Sequence, residues 1–481
     1  MNGIARCLLS GILVALAALP AFPAVWYVDV DRAPSGDGTS WEQAFATVRD
    51  GVNAAAADGG GEVWVAAGVY NEVETGGQSL IMAAGVDLFG GFNGSEVARE
   101  QRDPSNNSTI LEGTALSSGE NTPVASVVLG ANNARLDGFT IRYGRAQTGA
   151  GMFNFSASPL VANCVFEHNR AIAVSGTQGV GGAMFNYWFS SPTITNCVFR
   201  DNVADVDGGG LCNLKESESI VTDCAFLNNT GGMHGGAINV NKSNAVFRNC
   251  LILGNTAERG GAVYNIGRLP SQPPGDQTTI SDPYFINCLI VENSALYEGA
   301  AIFTFEALGR YIHCTIANNQ IVNSTGQEGA VANLDEAQPL FVNSIIWNGT
   351  PVEIRDFPFL DFPVEEGGPF YASTATAVAC DILGGWPGGN LNAPPRFIGG
   401  GNYQLRADSP CIDAGINASL PEYGNVLDDL LGVPRGFDGD GLGAVTSDGS
   451  DYDIGAYEFA DGAEGEGEGE GEGEGEGEGE G

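Results

Sequence analysis

Apolar and polar residues follow a repeating unit that fills the stretch from Gly149 to Asn319. Each unit is roughly 26 residues long, a typical length for one repeat of a solenoid. The first half carries a Gly-Gly-Ala-apolar motif, as in Gly-Gly-Ala-Met-Phe-Asn at 181–186. The second half carries an Asn-Cys-apolar motif, as in Asn-Cys-Val-Phe-Arg-Asp-Asn at 196–202. Units this short bury their apolar side only by stacking on their neighbours.

Three columns within the second half define the path of the chain. An apolar column two residues before the Asn contains Val161, Ile194, Val221, Phe247, Phe285, Tyr311 and Phe341. The residue after the Asn is Cys164, Cys197, Cys224, Cys250, Cys288 or Cys314, with Ser344 ending the series. Two residues further lie Phe166, Phe199, Phe226, Ile252, Ile290, Ile316 and Ile346. Alternate residues of a strand share a face, but the first two columns are three residues apart. The chain must therefore bend at the Asn, which tolerates the left-handed conformation of a tight corner.

This path predicts an all-β fold, a single parallel β-helix of about 13 coils at about 4.8 Å per coil. One coil consists of a short strand, an Asn corner, a second short strand, an Asn-ended turn and a Gly-Gly corner. Before the coils, Val25–Asp31 predicts an edge strand. Thr39 or Ser40 then begins a helix whose apolar stripe contains Trp41, Phe45, Val48 and Val52. We interpret this helix as the cover of the open N-terminal end of the solenoid.

The repeats resemble those of known families. The alternation of Gly-Gly-Ala-(Ile/Val/Met) with Phe-x-x-Asn resembles the repeat of chlamydial polymorphic outer-membrane proteins. More broadly, residues 60–410 resemble the bacterial right-handed parallel β-helix proteins of the pectate-lyase-like superfamily. Residues 402–415 together with 453–458 resemble the C-terminal module that closes many such proteins and commonly precedes a surface anchor. The resemblance is specific for the fold and implies no particular activity.

The chain divides into five predicted segments. These are a signal peptide (1–24), an N-terminal strand and cap helix (25–60), the β-helix (61–400), a C-terminal closing or anchor-type module (401–460) and a disordered Glu-Gly tail (461–481). The signal peptide is indicated by Arg6, the apolar run from Cys7 to Leu19, and the small residues Ala21 and Ala24. We therefore expect an extracellular or cell-surface protein with no membrane span after signal cleavage.

The charge balance narrows the choice of partners. The formal net charge is −39, from 59 Asp and Glu against 20 Lys and Arg. Such a surface repels nucleic acid and anionic membranes, and it attracts divalent cations or cationic partners. We expect a monomer whose partners are a polysaccharide or a cell-surface protein, with no nucleic acid.

The cysteines predict a buried ladder of thiols. Stacked residues point in parallel rather than toward each other, so six of the ten cysteines are expected to be reduced core residues. Cys380 and Cys411 lie outside this column by sequence and are the candidates for a disulfide bond. Paired metal ligands are the alternative for the ladder.

An acidic cluster near the C-terminus is the candidate metal site. Asp438, Asp440, Asp451 and Asp453 lie in a Gly-rich stretch, and Ca²⁺ prefers oxygen ligands of this kind. The spacing departs from an EF-hand, because Leu442 and Gly449 stand where ligands are needed. The alternative is a run of Asp-Gly turns. No cofactor is required, and Ca²⁺ is the candidate ion.

Catalytic candidates group near the third of these repeats. A polysaccharide lyase of this fold needs carboxylates that hold Ca²⁺ and an Arg or Lys that abstracts a proton. Arg200, Asp201, Asp205 and Asp207 form the nearest such group, with Glu167 and His168 one coil earlier. Solvated charge at a turn explains them equally well. His234 supplies half of the Gly-His-Gly expected of a glycoside hydrolase, and a turn residue is the simpler interpretation.

Three functions follow from these observations. The first is non-catalytic adhesion or glycan binding by an exported β-helix protein. The second is a pectate-lyase-like lyase or hydrolase acting on acidic polysaccharide, which rests on analogy of fold. The third is a structural stalk. Aromatic sugar-binding surfaces on the long faces favour the first, whereas an Arg or Lys facing clustered carboxylates in a groove favours the second.

Overall fold

Four parallel β-sheets wrap around one continuous core and form a parallel β-helix. The structure, a computed structural model, describes residues 24–32, 36–71, 79–113, 123–174, 178–267, 280–324, 328–349, 352–357, 372–420, 424–436 and 450–460. A regular coil passes through the sheets in a fixed order. Sheet 4 leads through a corner to sheet 1, a left-handed residue leads to sheet 2, and a turn leads to sheet 3. A Gly corner then begins the next strand of sheet 4.

The strands stack in register from one coil to the next. Sheet 1 contains Val25–Val28, Gly61–Ala66, Val86–Phe92, Arg135–Asp137, Leu160–Ala162, Thr193–Thr195, Ile220–Thr222, Val246–Arg248, Tyr284–Ile286, Arg310–Ile312, Leu340–Val342 and Thr376–Val378. Sheet 2 contains Gly68–Tyr70, Thr109–Glu112, Phe139–Arg142, Val165–Glu167, Val198–Arg200, Ala225–Leu227, Leu251–Leu253, Leu289–Val291, Thr315–Ala317, Ile345–Trp347 and Asp381–Ile382. Sheet 3 contains Arg145–Ala146, Arg170–Ala171, Val203–Ala204, Thr230–Gly231, Thr256–Arg259, Ser294–Glu298 and Gln320–Ile321. Sheet 4 contains Leu80–Ile81, Val128–Leu129, Met152–Phe155, Met184–Tyr187, Leu211–Leu214, Ile238–Asn241, Val263–Ile266, Ile302–Phe305, Gly329–Leu334 and Val352–Asp356.

The predicted columns form the core. Val161, Cys164 and Phe166 are buried, and so are their counterparts in the following coils. Aromatic rings stack along the column, with Phe166 and Phe199 centroids 5.0 Å apart and Phe199 and Phe226 centroids 4.7 Å apart. Each coil buries apolar surface against the next, which is the main stabilising contribution in a solenoid.

The predicted bend lies at the Asn position. We name the residues between sheets 1 and 2 the corner ladder; it contains Asn163, Asn196, Asp223, Asn249, Asn287, His313 and Asn343, all with φ between 47° and 55°. The left-handed conformation turns the chain within one residue, so the side chains before and after it both point inward.

A second asparagine column lies inside the turn between sheets 2 and 3. We name it the internal ladder; it contains Asn169, Asn202, Asn229, Asn255, Asn293, Asn319 and Asn348, all buried. The Asn229 Oδ1 accepts hydrogen bonds from the Asn202 backbone N (3.1 Å) and Nδ2 (2.9 Å). The Asn229 Nδ2 donates to the Phe199 carbonyl at 2.8 Å. The ladder therefore satisfies backbone groups that the turn removes from the sheets.

The two glycines of the Gly181-Gly182 corner have different roles. Gly181 has a φ of 67°, where a side chain is strained. A Cβ on Gly182 would lie 2.3 Å from the Gly209 carbonyl oxygen of the next coil, so only glycine lets adjacent coils approach here.

The N-terminal cover is shorter than the predicted helix. Trp41–Gln43 forms a single 3₁₀ turn capped by Ser40, and the α-helix Val48–Ala57 begins only after Thr47. Phe45 interrupts the helix because its backbone N and O pair with Tyr27 and Asp29 beside the strand Val25–Val28. A second 3₁₀ turn covers Arg99–Gln101. None of the helices in these ranges has the length and apolar character needed to cross a lipid bilayer.

The end of the chain returns along the outside of the coils. We name the described residues from 402 to 460 the C-terminal strap. Its first strand, Asn402–Leu405, pairs antiparallel with Phe397–Gly399, which directly precedes the strap, and Ser419–Leu420 pairs antiparallel with Gly424–Asn425 within it. Tyr403, Leu430 and Tyr457 pack on Leu289, Val291 and Ala317 of sheet 2. The strap thereby covers apolar outer faces of sheets 1 and 2.

The nine cysteines in the described residues are free and buried. The prediction that Cys380 lies outside the cysteine column is wrong, because the Ser344 backbone N contacts the Cys380 Sγ at 3.4 Å, as Cys164 N contacts Cys197 Sγ. Cys380 therefore continues the ladder one coil beyond Ser344. Cys411 lies elsewhere, with its Sγ 3.3 Å from the Asp381 carboxylate, so the two do not form a disulfide bond. Burial raises the pKa of the Cys411 thiol, which keeps it protonated.

Candidate functional site

Exposed aromatic side chains collect on one part of the outer face of sheet 4. Strand Met152–Phe155 directs Met152 and Asn154 inward, so Phe153 and Phe155 point outward, and the next coil repeats this with Phe185 and Tyr187. The chain then turns through Trp188 and Phe189. We name Phe155, Tyr187, Trp188 and Phe189 the aromatic platform.

The rings of the platform contact one another. Phe155 and Tyr187 have centroids 5.7 Å apart, Tyr187 and Trp188 5.9 Å, and Trp188 and Phe189 6.2 Å. Phe155 is 57% exposed, Phe189 56% and Trp188 44%. Aromatic residues usually bury most of their area, so three large exposed rings in contact mark an interaction surface.

The backbone beneath the platform is strained. Trp188 has a φ of 61° and Phe189 a φ of 60°. Bulky residues rarely adopt this left-handed conformation, which costs of order 1–3 kcal/mol for each residue. The equivalent corner in the next coil also uses two left-handed residues, Lys215 and Glu216, each with a φ of 57°. The corner therefore imposes the conformation, and the sequence places two aromatic residues there despite its cost.

Both lysines of the chain lie beside the platform. Lys215 and Lys242 follow Trp188 along the same corner in the next two coils, since Trp188 N bonds to Leu214 O and Lys215 N to Asn241 O. The Lys215 Nζ lies 5.0 Å from the Trp188 ring centroid and 5.7 Å from that of Tyr187. Within the described ranges, neither lysine forms an ion pair with a carboxylate. Among its described residues, an acidic protein thus presents two ammonium groups without a carboxylate partner along one corner, and Lys215 lies against the platform rings.

The predicted catalytic residue Arg200 belongs to a ladder of ion pairs on sheet 2. Glu112, Arg142, Glu167 and Arg200 occupy equivalent positions in four successive strands. The Arg142 Nε donates to Glu112 and the Arg200 Nε to Glu167, each at 2.9 Å. The guanidinium of Arg200 is therefore held by its own carboxylate, as expected for solvated structural charge.

The other predicted catalytic residues have separate partners. Asp201 is the left-handed residue of a turn, with a φ of 55°. The Asp205 Oδ1 pairs with Arg170 at 3.1 Å, and the Asp207 Oδ1 lies 2.9 Å from the His234 Nδ1. The structure does not bring these three carboxylates and Arg200 to one point, and a catalytic site at these positions stays a prediction.

The predicted metal ligands are only partly described. Asp438 and Asp440 lie outside the described residues, while Asp451 and Asp453 belong to the strap. The Asp453 carboxylate accepts hydrogen bonds from the backbone N of Asp413 (2.8 Å) and of Phe459 (2.5 Å). Burial, and then the neighbouring Glu458 carboxylate, raise the pKa of Asp453 to about 8. In the part of the chain that the structure describes, no three His, Cys, Asp or Glu side chains are placed to hold a metal ion.

The sequence contained signals for two features that the predictions did not use. Asp207 and His234 both directly precede the first Gly of the Gly-Gly motif, so the repeat alone places them side by side. The platform is likewise signalled by Trp188 and Phe189 at the position that Lys215 and Glu216 occupy one repeat later. Their exposure could not be inferred, because the sequence does not show whether another segment covers that face.

Comparison with known proteins supports the fold. A family model described as the right handed beta helix region matches residues 127–346. The crystal structure of pectate lyase Pel9A is 13% identical, with a TM-score of 0.50 over 91% of this chain and 97% of that chain. The A-module of Azotobacter vinelandii mannuronan C-5 epimerase AlgE4 is 12% identical, with a TM-score of 0.31 over 76% of this chain and 100% of that chain. No curated protein matches the sequence.

These findings define the class of the protein. The chain is a right-handed parallel β-helix protein, as the column pattern together with the family resemblance predicted. At 13% identity the likeness to pectate lyase Pel9A concerns the fold alone, so the function must be argued from this chain's own surface.

Proposed function

We propose that the protein is an exported, non-catalytic β-helix protein that binds an acidic polysaccharide on the aromatic platform. The observation that carries this proposal is the contact of Trp188 with Tyr187 and Lys215, on a surface that exposes Phe155 and Phe189. Sugar rings present apolar C–H faces that pack on aromatic rings, and carboxylates of uronate residues pair with ammonium groups.

Charge selects the class of polysaccharide. With a net charge of −39, the protein repels polyanions over most of its surface, so a uronan gains attraction only where cations are concentrated. Lys215 and Lys242 are one coil apart, about 5 Å along the axis of a parallel sheet. An anionic chain lying along the corner would relieve the repulsion between the two ammonium groups, whereas a neutral glycan would not.

Binding of polygalacturonate to the full-length protein tests the proposal. We expect retention in affinity electrophoresis and a measurable dissociation constant by calorimetry. Trp188→Ala and the double variant Lys215→Gln/Lys242→Gln should each weaken binding about tenfold, which corresponds to about 1.4 kcal/mol. Neutral dextran should bind less tightly than the uronan.

Two matched variants serve as controls. Tyr297→Ala removes an exposed ring on sheet 3, and Arg200→Gln removes a cation that already pairs with Glu167. Both should leave binding within twofold of the wild type. If they weaken binding as much as the platform variants do, the platform is not the site. If the uronan acquires unsaturated ends during incubation, with or without Ca²⁺, the protein is a lyase and the non-catalytic proposal is wrong.

A further inference from the structure

The corner ladder is covered at one end and open at the other. Asn287, His313 and Asn343 are buried beneath the C-terminal strap. Asn163, Asn196 and Asp223 are exposed, and Asn249 is half-buried. Because all seven residues occupy the same left-handed position between sheets 1 and 2, the open rungs present the same backbone geometry as the covered ones.

The covered rungs show how this ladder binds a polypeptide. The Asn343 Oδ1 accepts from the Ile416 backbone N (2.9 Å), and its Nδ2 donates to the Ile416 carbonyl (2.6 Å). The Asn287 Nδ2 donates to the Asp428 carbonyl (2.6 Å), and its Oδ1 accepts from the Arg435 Nη2 (2.9 Å). Each amide therefore recognises either both polar groups of one extended residue, or one carbonyl and an arginine.

Aliphatic packing accompanies these hydrogen bonds. Leu430 and Tyr457 of the strap pack on Leu251, Leu253 and Leu289 at the outer face of sheet 2. On sheet 1, Val426 packs on Val246, Tyr284 and Ile286. The established interface thus joins the ladder amides to apolar side chains on both flanking sheets.

An open cleft of about 400 Å³ continues this interface past the end of the strap. It is lined by ladder residues, by apolar residues of sheet 2 and by the strap itself: Asn196, Asp223, Val198, Ala225, Leu251 and Leu431. Leu431 is 61% exposed, and Ile220 of sheet 1 is 48% exposed. The cleft repeats the composition of the covered interface.

Two side-chain acceptors of the open rungs lack a hydrogen-bond donor among the described residues. The Asn196 Nδ2 donates to Asn163 (2.7 Å) and the Asn249 Nδ2 to the Asp223 Oδ1 (3.0 Å). Among the described residues, no side chain donates to the Asn196 Oδ1 or the Asp223 Oδ2. Asn196 and Asp223 both line the cleft from adjacent coils, and Asp223 carries a negative charge. At the covered rung Asn287, the equivalent acceptor binds Arg435.

We propose that the open rungs of the corner ladder bind an extended polypeptide segment of a partner protein that carries an arginine or lysine next to aliphatic residues. The basic side chain pairs with Asp223 and the Asn196 Oδ1, while the aliphatic side chains lie on Val198, Ala225 and Leu251. The partner continues the line of the strap toward the N-terminal coils. This surface lies between sheets 1 and 2, away from the aromatic platform on sheet 4.

A peptide copied from the strap provides the probe. The sequence Leu-Leu-Gly-Val-Pro-Arg-Gly of residues 430–436 contains Leu430 and Arg435, which the covered interface uses. With a photoreactive group and a fluorophore added, it should bind the full-length protein and crosslink to the strands Val198–Arg200 and Ala225–Leu227. Replacing its arginine by glutamine should weaken binding about tenfold.

Asp223→Asn is the matched change on the protein. Asparagine already occupies this left-handed position in the coils on either side, so the variant keeps the corner. It should weaken binding of the wild-type peptide about tenfold and leave binding of the glutamine peptide unchanged. This is expected because the effects of two substitutions in one interacting pair are not additive. Glu258→Gln removes a carboxylate on sheet 3 and should change the affinity of neither peptide.

Other results would overturn the proposal. If the peptide binds Asp223→Asn as tightly as the wild type, its arginine does not pair with Asp223. If Glu258→Gln weakens binding as much as Asp223→Asn does, the effect is only the general attraction of a cation by an acidic protein. Crosslinks beside Asn287 would show that the peptide displaces the strap instead. Competition by oligogalacturonate at the crosslinked strands would assign the cleft to glycan.

Discussion

At the residue scale, two sets of asparagines perform different tasks in each coil. The corner ladder turns the backbone and leaves its amides available to another segment, as Asn343 shows with Ile416. The internal ladder is buried, and its side chains complete hydrogen bonds of the turns in adjacent coils. An amide is needed at the internal position because it both donates and accepts.

Removing one rung of the internal ladder should destabilise the protein strongly. Asn229→Ala leaves the Phe199 carbonyl and the Asn202 N–H buried without their present partners. We expect the free energy of unfolding, measured by urea denaturation, to fall by about 3 kcal/mol. The exposed Asn402→Ala should change it by less than about 0.5 kcal/mol. A loss below about 1 kcal/mol for Asn229→Ala would mean that water replaces the ladder.

The buried carboxyl of Asp453 should make stability depend on pH. Its pKa is raised to about 8 by burial and by the Glu458 carboxylate, which itself pairs with Arg435. A raised carboxyl pKa favours the folded state most at low pH, and this contribution is lost as pH rises through the folded value. Asp413, Asp429 and Tyr452 also surround this part of the strap.

Between pH 6.5 and pH 8, the free energy of unfolding should therefore decrease by up to about 2 kcal/mol. Asp453→Asn should flatten this dependence. His313 contributes with the opposite sign at lower pH, because burial and then Arg435 lower its pKa. A wild-type stability that is constant or rises from pH 6.5 to pH 8 would contradict the assignment.

At the scale of single elements, sheet 2 changes character along its length. At one outward position, successive strands first carry the alternating acidic and basic residues of the ion-pair ladder that ends at Arg200. The following strands carry apolar residues at that position: Leu227, Leu253, Val291 and Ala317. The charged strands face solvent, and the strap covers the apolar ones from Leu253 onward. The residues at this one position of the repeat thus change from charged to apolar where the strap covers the sheet.

This column also explains what sequence reasoning could predict. Inward positions such as Val161 and Phe166 follow from periodicity alone, because every coil must bury them. Outward positions depend on segments that are distant in sequence. Repeat spacing places Glu167 one coil from Arg200, but it does not show that this carboxylate holds the guanidinium in an ion pair. The register of Cys380 could not be predicted, because the last coils differ in length.

At the scale of the whole molecule, the strap joins the last coils to earlier ones. Arg435 is fully buried and contacts Glu458 within the strap and Asn287 in the solenoid. The Gly455 N donates to the Asn343 carbonyl, and the Ala456 N to Thr315. These contacts fasten the strap across several coils, so it functions as part of the folded body.

A chain that stops after Gly401 should reveal this role. Without the strap, the apolar outer faces around Leu289, Val291 and Ile286 contact water. We expect the truncated protein to bind a hydrophobic dye, to unfold at a lower temperature and to associate with itself. The far-ultraviolet circular dichroism of the coils should remain. If the truncated chain is monomeric and as stable as the full chain, the strap is a dispensable cover.

The backward course of the strap also has a consequence for the order of synthesis. Leu289 leaves the ribosome roughly 170 residues before Tyr457, a delay on the order of 10 s at ordinary rates of elongation. During that interval a nascent chain has the strands of sheet 2 without the segment that shields them. Aggregation or capture by a chaperone is therefore favoured until the strap leaves the ribosome, and release follows once it has emerged.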